Sequence, residues 1–153
     1  MFKNLSRFDV GKAMSWVDMP ELGVRARVLV APATEANPGY YNAMLAASGK
    51  RMRRMARTDQ ITGEDAAQNR DDDRQLYPRH VIKGWECIEG DPSTAKEGEL
   101  DGEGHVVFGR RAAETLCRVL PDHLMDRLRN HASTPERFYG AEVPPEPEDV
   151  AGN

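Results

Sequence analysis

The chain has 153 residues and a mass of 17.1 kDa, enough for one domain but too short for two independent cores. Hydrophobic residues make up 39%, charged residues 30% and mean hydropathy is -0.67, a wet composition that still supports a modest core. The net charge of -4 sits at one end: residues 1–138 balance, whereas 139–153 holds Glu142, Glu146, Glu148 and Asp149 with no Lys or Arg.

Those features exclude several classes. No apolar run approaches the roughly 20 residues that span a bilayer, and MFKNLSRFDV lacks the apolar centre of a secretory signal, so a soluble, unexported protein is expected. Cys87 and Cys117 are too few for a disulfide framework and predict reduced thiols packed as small hydrophobes.

From the start, Trp16-Val17-Asp18-Met19 and the alternating segment Gly23 to Val30 predict a short hairpin through the Pro20 to Gly23 turn. Pro32 and Asn37-Pro38-Gly39 close that region. The period then changes. Tyr41, Met44, Leu45, Met52 and Met55 share one helical face beside Lys50, Arg51, Arg53, Arg54 and Arg57, with Gly49 as a candidate break. Thr58 to Asp73 is polar and ends in three aspartates, so a surface loop is predicted, with a helical turn over Arg74 to Tyr77.

Val81, Ile82, Trp85 and Ile88 fit either a helix or an extended segment broken at Gly84, and periodicity does not decide between them. Glu89 to Gly104 holds four glycines and Pro92 and reads as a long loop or wide hairpin. Ala112, Ala113, Leu116, Cys117 and Leu120 predict a helix that Pro121 ends. The same proline opens another helix, with Leu124, Met125 and Leu128 as its stripe and Asp122 in its first turn. Ser133-Thr134-Pro135-Glu136 is a further helix start, followed by Phe138 and Tyr139 as an aromatic anchor. Strands followed by helices predict an α+β domain over 1–138, with short N-terminal antiparallel strands packed against C-terminal helices. Residues 139–153, with Pro144, Pro145 and Pro147, predict an extended acidic tail, either a solvated terminus or a partner-binding arm.

Catalytic and metal signatures are missing from the sequence. The histidines at 80, 105, 123 and 131 and the two cysteines form no close ligand pair, and there is no phosphate loop, nucleophile elbow or zincin helix, so no enzyme, metal or cofactor is expected. The run Lys50 to Arg57 places five cations on a helix and argues for nucleic acid. Opposing that are the pI of about 5.6, the lack of stacking aromatics and the aspartates at 71–73. Alternatively Met52 and Met55 point inward, or the run forms an adaptable protein-binding face. Trp85 is either core or an exposed interface anchor.

His80-Val81-Ile82-Lys83-Gly84-Trp85-Glu86, an acidic loop bearing glycines, Val106-Val107-Phe108, Ala112-Ala113, Leu116, Leu120-Pro121, Leu124, Leu128 and Phe138 together resemble the tail assembly chaperones of long-tailed bacteriophages. Phe8-Asp9, Trp16-Val17, the strand Arg25 to Val30 and Asn37-Pro38-Gly39-Tyr40 extend the likeness over about residues 8 to 138. Two departures are the length of the loop Glu89 to Gly104 and Gly109-Arg110-Arg111 in place of a Ser or Pro helix start. The resemblance implies a small non-enzymatic protein that coats the tape measure protein and helps recruit tail tube protein. It implies action in the host cytoplasm during assembly and absence from the finished particle. A permanent virion component of tail, connector or capsid is the alternative. Met44, Arg51, Met52, Arg54, Met55 and Trp85 are the candidate partner-binding residues, with a second copy of the chain as a further candidate partner and no membrane expected.

Overall fold

The computed structural model describes residues 1–141; the predicted acidic tail falls, apart from its first three residues, outside the described residues. Strands β1 (Ser15–Asp18) and β2 (Arg27–Val30) pair antiparallel, with Ser15 opposite Val30 and Asp18 opposite Arg27, as the hairpin pattern predicts. The alternation overstates β2, because Gly23 to Ala26 is a turn: the Ala26 N–H donates to the Gly23 carbonyl and the Met19 N–H to the Ala26 carbonyl. Gly23 is needed there, since a Cβ would collide with the backbone carbonyl of Cys87.

The ambiguous block after Pro78 resolves as extended. Strand β3 (Ile82–Glu86) runs through Gly84 and pairs antiparallel with β2, giving the order β1-β2-β3 with an irregularity at Leu29 and Val30. One face buries Val17, Val28, Val30 and Trp85. On the other, Trp16, Leu29 and Gly84 form a cross-strand row, and the Arg27 guanidinium lies 3.9 Å from the centre of the Trp16 ring. The fold is α+β, a small antiparallel sheet packed against helices. Its third strand arrives only after two helices, which corrects the simple order of strands followed by helices.

Helix α1 (Pro38–Thr58) is continuous through Gly49. Asn37 caps it: its side-chain oxygen accepts from the Tyr40 N–H, while its amide donates to the carbonyls of Pro32 (2.9 Å) and His80 (2.8 Å). The predicted loop over Thr58 to Asp73 is overturned. After a tight turn at Asp59, helix α2 (Gly63–His80) occupies most of that stretch. A capping box starts it, with the Thr62 hydroxyl accepting from the Asp65 N–H and the Asp65 carboxylate accepting from the Thr62 N–H. Apolar periodicity fails in α2 because its inward positions are largely polar and find charged partners instead of hydrocarbon.

Helices α3 (Arg110–Val119) and α4 (Asp122–Ala132) follow the predicted stripes, and Cys117, Leu120, Leu124, Met125 and Leu128 are buried. Pro121 stands just before α4 rather than within its first turn, and its carbonyl accepts from the N–H groups of Leu124 and Met125. Arg74 of α2 donates to the carbonyls of Cys117 (2.6 Å) and Leu120 (2.8 Å), satisfying acceptors that the end of α3 leaves free. Residues 89–108 form a wide hairpin held by bridges Glu89 to His105 and Leu100 to Val106. A short 3-10 turn, Pro135–Phe138, ends the described chain; Phe138 is buried, whereas Tyr139 is exposed and meets Phe8 edge-on at 4.9 Å.

Candidate functional site

At 100° per residue, Tyr40, Met44, Ser48, Arg51 and Met55 share the side of α1 that meets α2, with Met52 beside them. Tyr40 and Ser48 are buried, and Met44, Met52 and Met55 are half-buried. The Ser48 hydroxyl donates to the Met44 carbonyl at 2.7 Å and lies 3.4 Å from the Met44 sulfur and 3.5 Å from that of Met52. This seam is where the predicted methionine contact face goes. Arg51 pairs with Asp72 and donates to Asn69 (3.0 Å), and Arg54 pairs with Asp65. The Arg54 guanidinium holds the Asp65 carboxyl down at about 2.

The five candidates on α1 are therefore brought together, but largely for contact within the chain. The physical reason is that α2 is a helix, a neighbour the predicted loop did not supply. Trp85 is likewise corrected as an exposed anchor. It is buried, its Nε1 donates to the Val106 carbonyl (2.8 Å), and its ring meets Phe108 edge-on at 4.9 Å. Of the basic run, Lys50, Arg53 and Arg57 lie at i, i+3 and i+7 on the outward side of α1, exposed and without an ion pair among the described residues.

Sequence reasoning missed the polar centre that ties α2 to α4. The buried Asp73 carboxylate accepts from the Tyr40 hydroxyl (2.7 Å) and from Arg129 Nε (2.8 Å). Burial pushes its pKa up, and those two donors oppose the rise. Arg129 also donates to Asp126 (3.0 Å), which Arg70 grips through two 3.0 Å bonds; Arg70 chiefly accounts for the depressed pKa of Asp126. Arg74 pairs with Asp122 at 2.7 Å. The only hint in the sequence was the capping signature Thr62-x-x-Asp65 followed by acids and arginines at helical spacing.

Because α2 packs against both α1 and α3, its outward side floors a groove of about 830 Å³ between them. The half-buried Ala43 and Leu76 supply apolar surface with the buried Pro78 behind them, and Asp71, Arg74, Arg79, Glu114 and Arg118 set charges of both signs around it. A smaller hollow of about 470 Å³ lies at His123, Arg127 and His131. Beside it, the Ser15 hydroxyl and His131 Nε2 are 2.8 Å apart, but Ser15 donates to the Arg137 carbonyl (3.1 Å). Burial lowers the His131 pKa. No helix among the described residues is long and apolar enough to cross a membrane. The chain matches no protein-family model, no curated protein and no solved structure.

Proposed function

We propose that this chain is a tail assembly chaperone that binds the tape measure protein and helps recruit tail tube subunits in the host cytoplasm. The observation that carries the reading is the groove over α2. Apolar surface at the half-buried Ala43 and Leu76, backed by the buried Pro78 and flanked by Arg79 and Arg118 and by Asp71 and Glu114, suits an amphipathic helix with a narrow apolar stripe between charged rows. A tape measure protein presents long stripes of that kind, which aggregate unless covered until the tube encloses them. Binding along a groove of mixed charge, with no covalent step, allows the cover to be shed when tube subunits arrive.

The test is affinity capture of the tagged chain from phage-infected cells, paired with mass spectrometry of purified virions. Recovery of the tape measure protein and absence of the chain from virions are expected. Failure to recover the tape measure protein would overturn the proposal. The alternative, a permanent virion protein, draws on the exposed apolar side chains of Phe2, Leu5 and Phe8, which suit docking on a neighbour. It predicts the chain in virions at fixed copy number.

A further inference from the structure

The segment Phe2 to Phe8 buries none of its side chains: Phe2 is 78% exposed, Leu5 57% and Phe8 40%. Its one short helical element is the 3-10 turn Leu5–Phe8, in which residues three apart align, so Leu5 and Phe8 share a side. Lys3 and Arg7 are its charges, with no acid among residues 2–8. Among the described residues it is tied down at one end only, by the Phe8 ring against Tyr139 and by the Gly140 N–H donating to the Arg7 carbonyl at 3.3 Å.

A surface of opposite character lies elsewhere on the same chain. The wide hairpin 89–108 carries Glu89, Asp91, Glu97, Glu99, Asp101 and Glu103 against one basic residue, Lys96. It also presents Val107 and Phe108, 47% and 39% exposed. The Val107 N–H donates to the Glu99 carbonyl (2.9 Å), which sets this apolar pair directly beside the acids.

The two surfaces connect to opposite edges of the sheet. Ser15 of edge strand β1 donates to the carbonyl of Arg137, within the 3-10 turn Pro135–Phe138 that leads into Tyr139, the residue Phe8 packs on. Trp85 of the opposite edge strand β3 packs on Phe108. We propose that the basic apolar segment Phe2 to Phe8 of one copy docks on the acidic apolar surface at Val107 and Phe108 of a second copy. The contact joins two different surfaces, so each copy can both give a segment and receive one. Charge drives encounter and the buried aromatic rings hold the contact, so association weakens with salt.

The experiment is analytical ultracentrifugation of the full chain over a concentration series, at about 50 mM and about 500 mM salt, which brackets weak and strong screening. The expected result is species of two or more copies at low salt, with monomer favoured at high salt. Two variants dissect the contact: Phe2→Ser/Leu5→Ser on the segment, and Glu97→Lys/Glu103→Lys on the hairpin. All four positions are exposed, and circular dichroism checks that both variants fold. Each variant alone is expected to be monomeric. Mixed in equal amounts, they should form two-copy species and nothing larger, because each retains one intact half of the contact. Monomer alone at every concentration in low salt, oligomers unchanged in both variants, or a mixture that stays monomeric would overturn the proposal.

Discussion

Asp73 is the position at which the fold is most exposed to a single change. Its carboxylate is buried and holds two donors from different elements, the Tyr40 hydroxyl on α1 and Arg129 Nε on α4, at 2.7 and 2.8 Å. Asp73→Ala would leave Arg129 with Asp126 as its remaining counter-charge and Tyr40 without an acceptor in the same enclosed space. Removing one partner of a buried pair costs about 3–5 kcal/mol. For a domain of this size that lowers Tm by roughly 10–15 °C. By contrast, Glu86→Ala breaks the Arg27 pair, whose side chains are 39% and 49% exposed, and should cost at most about 1 kcal/mol. Equilibrium urea denaturation of both variants measures the difference. A third variant, Tyr40→Phe/Asp73→Leu/Arg129→Met, removes every polar member of the triad and should recover much of the loss. An Asp73→Ala penalty under about 1 kcal/mol would refute the claim that this triad locks α1, α2 and α4 together.

Gly23→Ala should destabilise by about 1–3 kcal/mol in the same assay, because the new Cβ meets the fixed backbone carbonyl of Cys87 and not a side chain that can turn away. Acid should unfold the protein through its ion pairs. Arg127 holds Glu21 and Arg54 holds Asp65 at about 2, and both carboxyls bind protons more readily once unfolded. The urea midpoint should therefore hold above the ordinary carboxylate range and fall as pH drops from about 4 toward 2; a midpoint flat across that window would contradict the pairing. Burial raises the Cys117 thiol to about 12, so a thiol reagent should modify the half-exposed Cys87 in the native state and reach Cys117 only in denaturant. Mass spectrometry of the labelled chain reads both sites.

The elements with apolar stripes were legible in the sequence. The β1–β2 hairpin follows from alternation and turn chemistry, and α3 and α4 from Ala113, Cys117, Leu124 and Leu128 at helical spacing. Helix α2 was legible only in its last turns, where Leu76 and Tyr77 pack inward; before them its inward positions are Asp65, Asn69, Asp72 and Asp73, and a pattern of apolar residues has nothing to detect there. That one omission carried over to the site. Without α2, the Met44 to Met55 stripe had no internal partner and read as an open face, and the arginines beside it read as free charge. Strand β3 stayed ambiguous because an apolar run interrupted by glycine fits two periods; pairing with β2 decides it, and pairing is a long-range property.

The groove over α2 is the part of the account on which the proposed function rests. Hydrogen exchange of the intact chain, alone and co-expressed with a candidate tape measure protein, tests it most directly. New protection is expected over α2 residues 71–79 and the facing turns of α1 and α3, lost on Gln75→Trp, which fills the groove from an exposed position. A complex that forms with α2 unprotected, or one that Gln75→Trp leaves intact, would contradict it.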